Sequence, residues 1–409
     1  MSGPAYGRLL HQALLAALTS AAFAGCASAG LPDPDWHIAA PAAATEPAHA
    51  EYHALSRALV LERARAANGE PVPVADGAAL QAGVRDPRVA TLRDRLKASG
   101  DYAAEMGADP WFFDRALDEA LRRLQRRHGL AADGIIGERT LAALNRTSAS
   151  LVDQLEVALE RWRWLPADLG STHVWVNIAR AQLDVVENGE SSLSMRVVVG
   201  HSNRPTPSLT GRLDRVVFNP EWAVPRRIAI EDLLPRQQAD PGFLATQGFR
   251  VLTSGGAVVD PASVMWSDLG PDRFPYRLVQ APGPGNSLGR IKIAFDNEHD
   301  IYLHDTPSRG LFALTTRSLS SGCVRLEEPS QFATYLLARN SAWDASMTAA
   351  ALASPATKTM RLTDGLPIYL VYITAWTEDG EVRFGRDLYG RDAAVLAALR
   401  NRRTIEVKL

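Results

Sequence analysis

His173-Val174-Trp175-Val176-Asn177-Ile178 decides the fold class. Its period of two puts Val174, Val176 and Ile178 on one face, the signature of a half-buried strand. Residues 182–187 continue the pattern, Asn188-Gly189 supplies a tight turn, and 195–200 and 213–219 follow. This is a meander of hairpins, so the second half of the chain is mainly β. Further strands are expected at 290–295, 301–304 and 368–374, with a helix over 329–340 and a short helix after Phe384. Between Glu221 and Gly285 the pattern loosens into Pro- and Gly-rich chain with one helical segment near 228–234. An insertion of that size in a β domain reads as a lid or binding loop.

Upstream of Gly170 the spacing is helical. Leu117, Leu121 and Leu124 share a face, and His128-Gly129 ends that helix. Asp133-Gly134 makes a turn, and Gly137 precedes a second short helix carrying Leu141 and Leu144. Arg161-Trp162-Arg163-Trp164-Leu165-Pro166 closes a helix that starts near Leu151. Two Trp residues two apart cannot share a helical face. One is expected in the core and the other at a domain junction, with a carbohydrate platform as the alternative. Residues 51–66 look helical, and 31–50 are a Pro/Ala-rich linker.

The first thirty residues carry Arg8 and an apolar run from Leu9 to Gly25, broken only by His11, Gln12, Thr19 and Ser20. The run is short, Ala-rich and ends in small residues, as a secretory signal does. Phe23-Ala24-Gly25-Cys26 resembles a bacterial lipobox, whose cysteine becomes a lipidated N-terminus. Ordinary cleavage after Ala27-Ser28-Ala29 is the other reading. Either way the expected location is the periplasm, with an outer-membrane lipid anchor only if Cys26 is modified.

The chain has 409 residues, room for two or three domains, with 46% hydrophobic and 22% charged residues and a net charge of −2. That balance gives no electrostatic case for nucleic-acid binding. Lysine occurs only at 97, 292, 358 and 408, which reads as composition rather than a binding face. Two distant cysteines make no disulfide framework and no zinc spacing, so neither a metal nor a cofactor is expected.

The chemistry points to Cys323, in Ser320-Ser321-Gly322-Cys323-Val324-Arg325, and to His304, nineteen residues earlier at the end of the run Ile301-Tyr302-Leu303. Alone, each reads as a structural residue. Together they read as a nucleophile and its base. Amides around Gly322 and Cys323 are candidates for an oxyanion hole. Arg325 would aim the same way as Cys323 along an extended segment, to hold a substrate carboxylate or to pair with Glu327 or Glu328.

Several stretches then resemble known families. Leu124-Gln125-Arg126-Arg127-His128-Gly129-Leu130, Asp133-Gly134-Ile135-Ile136-Gly137 and Thr140-Leu141 resemble the peptidoglycan-binding module of bacterial wall enzymes. His304-Asp305-Thr306 and Ser321-Gly322-Cys323-Val324-Arg325 resemble the catalytic motif of the L,D-transpeptidase (YkuD) family. Ser321 stands where the commonest form has His, as in the large Gram-negative branch with an attached peptidoglycan-binding domain. The Arg161–Pro166 stretch, Val217-Phe218-Asn219-Pro220-Glu221-Trp222-Ala223-Val224-Pro225, and Pro284-Gly285-Asn286 through Gly289 look like that branch.

The resemblance implies a multidomain α+β chain. Its divisions would be a signal peptide (1–26), a linker and helical scaffold (27–84), a peptidoglycan-binding-like helical domain (85–148), a mainly-β catalytic domain (150–395) with a capping subdomain (221–285), and a tail (396–409). It implies Cys323 as nucleophile and His304 as base, with Gly322, Ser321 and Arg325 as oxyanion-hole or supporting residues. Trp222, Tyr276, Tyr302 and Asn286 are substrate-binding candidates. Asp305 would cap a turn, the ring of His304 being oriented by a backbone carbonyl. The implied activity is 3→3 cross-linking of meso-diaminopimelate in stem peptides through a thioacyl enzyme. The alternatives are hydrolysis of the same bond type, as carboxypeptidase or as an amidase releasing wall-attached lipoprotein, and a non-catalytic wall-binding protein. The His-before-Cys order and the β texture disfavour a papain-type protease. Stem peptides are the expected partner; no protein partner is readable.

Overall fold

The computed structural model describes residues 33, 35–37, 47–103, 109–339 and 341–406. The expected signal segment, including Phe23 to Cys26, lies outside the described residues.

Among the described residues the expected β half is a ladder of eleven strands, with a twelfth paired at its side. In order across the ladder they are Trp36–His37, Ser208–Arg212, Pro367–Val371, Thr172–Asn177, Gln182–Glu187, Glu190–Gly200, Val324–Leu326, Leu303–His304, Ile291–Ala294, Arg215–Phe218 and Lys358–Arg361. Ser318–Ser320 pairs off the path with Glu190–Gly200. Val174, Val176 and Leu370 from one arm share a core with Val216, Phe218 and Ile293 from the other. The ladder is therefore wrapped about a single apolar centre, and Phe332 and Leu336 of the helix Pro329–Ala338 pack into it. The meander read at 172–200 is antiparallel throughout. The pairing of Leu303–His304 with Val324–Leu326 is parallel, and it sets His304 on one strand and Cys323 immediately ahead of its neighbour.

The insertion, loose in pattern and expected to form a lid or capping subdomain, is a small folded subdomain. Trp222–Ala223, Arg277–Gln280, Phe249–Leu252 and Val258–Val259 form a separate four-stranded sheet. Trp222, Leu233, Phe249, Val251, Trp266 and Phe274 fill a core of its own. Its strands are only two to four residues long, too short for a period-two pattern to stand out. The helical segment near 228–234 begins with the turn Arg226–Ile228, widens to a π turn at Ala229–Leu233, and ends as Leu234–Ala239.

The helical hairpin forms as its leucines predict. Arg115–Arg127 is capped by Asp114, whose side chain accepts from the Leu117 amide, and Gly129 follows it at φ +62°. Leu117, Leu121, Leu124 and Leu144 join Leu92 and Leu96 of the helix Arg88–Ala98 in the module's core. A second helical layer lies against the outer face of the sheet. There Leu55 and Leu59 of Ala50–Ala67 meet Leu155 and Leu159 of Ser148–Arg163. The chain end belongs to this layer too: Asp392–Glu406 is one helix whose Val395 and Leu399 are buried in it. A boundary at 395/396 therefore cuts a packed helix, and the tail is not separate. Trp162 and Trp164 both lie in this core, Trp162 stacked on Trp175 and Trp164 edge-on to Trp36. The helix ends at Arg163, so Trp164 is freed from helical direction, and neither ring is left for a carbohydrate.

Candidate active site

Strand geometry assembles the site. Ile291, Ile293, Leu303, Val324 and Leu326 point into the core, so their neighbours Lys292, Tyr302, His304, Cys323 and Arg325 stand on the opposite face. Register puts Lys292 opposite His304 and His304 opposite Arg325. Cys323 and Tyr302 each precede a member of that row by two residues.

The cysteine loop is tightly pinned. The Ser320 hydroxyl donates to the Cys323 carbonyl (2.6 Å) and accepts from the Gly322 amide (3.2 Å). The Thr206 hydroxyl donates to the Gly322 carbonyl (2.7 Å). Gly322 sits at φ +119°, where a side chain would be strained. This corrects the oxyanion-hole expectation. The Gly322 amide is committed to Ser320, whereas the Cys323 amide makes no bond to any described residue. Ser321 is exposed, and its hydroxyl accepts from the Arg204 guanidinium (3.0 Å) instead of facing the sulfur.

Cys323 Sγ is half-buried and lies 3.7 Å from the Asp300 carbonyl. The Tyr302 amide and hydroxyl both reach the sulfur. Burial pushes the thiol pKa up, outweighing the pull of the Tyr302 donors, Lys292 and Arg325, so the resting sulfur is a thiol. His304 is buried, and burial, helped by Arg325 and Lys292, holds its imidazole down to about 3 against the Asp305 and Leu288 carbonyls. Its Nδ1 donates to the Asp305 carbonyl at 2.5 Å. A carbonyl only accepts, so the proton is on Nδ1 and Nε2 carries the lone pair. Among the described residues no hydrogen bond joins this ring to Sγ. The resting pair is a neutral thiol and a neutral imidazole on one face, of the kind that tightens when substrate enters. The Asp305 carboxylate turns to the Arg290 and Thr306 amides (2.8 and 2.7 Å), as a turn cap does.

Three of the four substrate-binding candidates take other positions. Asn286 is fully buried; its amide donates to the Pro220, Gln280 and Ala281 carbonyls and its oxygen accepts from the Leu288 amide. With every polar atom spent, it locks the junction of the cap. Tyr276 packs on Trp266 and Phe274 inside the cap core. Trp222 is buried there as well, and its indole N–H bonds to the Tyr302 hydroxyl, so it acts on the site only through that tyrosine. Tyr302 itself touches the sulfur.

Two residues were missed. Lys292 lies with Nζ 3.8 Å from the centre of the Tyr302 ring. Its polar place inside Ile291-Lys292-Ile293 was the signal available in the sequence. Arg204 pairs with Asp232 (2.5 and 2.7 Å) and Glu231 (2.6 Å) of the cap while holding Ser321. One arginine among so many gave no signal. A cavity of about 680 Å³ lies elsewhere, at the seam lined by His128, Arg146, Gln154 and Phe384.

This β scaffold, with a cysteine and a histidine on one face under a cap, has the arrangement of a thiol-dependent enzyme. Residues 171–355 match the family model described as L,D-transpeptidase catalytic domain, YkuD, and residues 85–144 match "Putative peptidoglycan binding domain". The chain carries a YkuD L,D-transpeptidase catalytic domain preceded by a peptidoglycan-binding domain. It is 38% identical over 247 residues to a protein of Haemophilus influenzae named "Putative L,D-transpeptidase", an alignment covering 60% of this chain and 50% of that protein. The chain thus spans about half the length of that relative. An L,D-transpeptidase structure from Stackebrandtia nassauensis aligns at 15% identity over 76% of this chain and 100% of that one, with TM-score 0.25. One from Mycobacterium smegmatis aligns at 16% identity over 49% and 58%, also with TM-score 0.25.

Proposed function

We propose that this chain is a peptidoglycan L,D-transpeptidase that forms 3→3 cross-links between meso-diaminopimelate residues through a thioacyl intermediate on Cys323. The observation that carries this reading is the half-buried Cys323 thiol on the same sheet face as the neutral His304, with its own amide unspent. Sγ attacks the carbonyl of the diaminopimelate L-centre in a tetrapeptide stem, and its proton passes to His304 Nε2. The Cys323 amide meets the developing oxyanion; such a donor is typically worth about 2.7–4 kcal/mol. The bond to D-Ala breaks, the leaving amine takes the proton from His304, and a thioester remains. The side-chain amine of a second stem then attacks the thioester. His304 takes up the proton released, and the departing thiolate recovers it. The cap over this face limits the access of water, which favours an amine acceptor.

Incubation with purified disaccharide-tetrapeptide is the direct test. A cross-linked dimer supports the reading, and tripeptide alone would make the enzyme a hydrolase. A carbapenem is expected to add its mass to Cys323 in intact-mass spectrometry. The reading includes export to the periplasm, supported by the apolar leader ending in small residues; the N-terminal mass of the exported chain reports whether Cys26 is lipidated or the cut follows Ala29.

A further inference from the structure

Buried cations in this protein meet either a carboxylate or several backbone carbonyls, as Arg95 meets those of Leu144, Pro71 and Arg146. Arg93 meets Asp114, Arg161 meets Asp392, Arg204 meets Asp232 and Arg383 meets Glu381, at 2.5 to 2.9 Å. Beside the sulfur the rule fails twice. Arg325 is half-buried and makes no hydrogen bond or ion pair with any described residue, and its Nε is buried without a partner. The two carboxylates expected to serve it are engaged elsewhere: Glu327 bonds Arg196, and Glu328 lies 4.0 Å from Arg309. Lys292 is half-buried with no carboxylate within salt-bridge distance among the described residues. Its close neighbour is the face of Tyr302, with Asp300 and Arg215 the other charges that act on it. Register sets these two cations on either side of His304, and both act on Cys323. Leaving two cations partly desolvated and uncompensated is costly unless a ligand supplies the charge.

We propose that Lys292 and Arg325 form a two-point seat for a carboxylate of the acyl donor, so that this enzyme selects donors bearing a free carboxylate beside the attacked bond over their amides. The proposal rests on the reading of Cys323 as the acylated nucleophile. Arg325 supplies a planar fork for the carboxylate and Lys292 a point charge from the other side. The seat has a second consequence. Both cations disfavour a proton on His304, so an anion between them offsets that field and strengthens the imidazole as a base when a donor is bound. An empty site stays neutral, and its thiol stays protected from idle reaction. In the tetrapeptide stem two carboxylates lie beside the attacked bond: that of the diaminopimelate side chain and that of the terminal D-Ala.

The experiment measures acylation of Cys323 in the full chain by intact-mass spectrometry, with three synthetic donors. They are the native tetrapeptide, the one amidated at the diaminopimelate side-chain carboxyl, and the one amidated at D-Ala. Wild type is expected to acylate with the native donor at least about tenfold faster than with one of the two amides, and that amide identifies the seated carboxylate. Lys292→Met is expected to compress this preference to within about threefold, whatever its absolute rates. A circular-dichroism spectrum and thermal melt matching wild type are the control for folding, and the ratio between donors is the readout. Equal wild-type rates with all three donors overturn the seat and leave the acyl-transfer reading standing, as does an undiminished preference in Lys292→Met. No acylation of wild type by any donor overturns the acyl-transfer reading, and the seat with it.

Discussion

The cap and the peptidoglycan-binding domain are both satellites with cores of their own, yet they attach to the catalytic sheet by different chemistry. The cap is held by charge and reaches the sulfur's own neighbours. Its Glu231 and Asp232 grip Arg204, which also holds Ser321, and its Trp222 bonds Tyr302. The binding domain is held by a stacked pair, His128 on Phe384 at 5.7 Å, and by a surface hydrogen bond from Arg139 to Thr315 at 3.1 Å. None of those residues touches Cys323. One satellite is wired to the residues around Cys323 and the other is docked beside the sheet.

The sharpest way to separate the two is Cys323→Ala. Turnover of soluble stem peptide should fall at least about 10³-fold, while pull-down on purified sacculi stays at wild-type level. Cross-linking at wild-type rate by that variant would remove the cysteine mechanism. Next comes the cap's wire. Arg204→Ala removes charge-assisted bonds to three groups at once and should lower kcat/KM by roughly 10–100-fold, with faster proteolysis of the cap. Arg204→Lys should recover only part of this, because an ammonium cannot span both carboxylates and Ser321. An unchanged rate in Arg204→Ala would mean that the cap and the cysteine loop are independent.

The seam of the binding domain should respond to acid instead. His128 is buried and held down to about 3, chiefly by burial and then by Arg127 and Arg146, against an ordinary value of 6.5. Below about pH 6.5 the unfolded chain binds a proton that the folded chain refuses. The stability this group contributes above that pH is therefore lost progressively toward pH 3. His128→Phe keeps a ring on Phe384 and should spare roughly 3 kcal/mol of the loss by pH 4, measured by denaturant titration at both pH values. His304 has the same sign, so some acid lability should persist in the variant. The smallest effect is expected from Arg139→Ala, a lost surface bond that should leave soluble-substrate turnover within about twofold.

What the sequence disclosed followed the strength of its periodicities. The meander at 172–200 and the leucine-spaced hairpin were readable because each repeats a period over several turns or strands. Cys323 and His304 could be proposed as a pair because two reactive residue types stood in a spaced motif. The cap was expected as an insertion, but its sheet escaped because strands of two to four residues have little period to show, and its order comes from tertiary contacts such as Trp222 with Phe249. Asn286 was misjudged because a buried amide with four partners and an exposed amide waiting for substrate look the same in sequence. The Gly322 amide was misassigned for a related reason: Ser320, one of two adjacent serines, takes it, and only the fold of the loop decides which serine turns inward. Lys292 was set aside as composition, although its polar side chain in an apolar strand already placed it on the open face.

The strand Pro367–Val371 lies between Ser208–Arg212 and Thr172–Asn177, antiparallel to the first and parallel to the second. One arm of the sheet therefore has a gap that only a segment near the end of the chain can fill. The meander can form early, but its outer hydrogen bonds stay open until nearly all of the polypeptide has emerged. Such distant pairing makes folding slow and leaves a sticky edge exposed meanwhile. Premature stops anywhere before residue 367 are thus expected to yield aggregates and no partly active enzyme, even when Cys323 and His304 are both present.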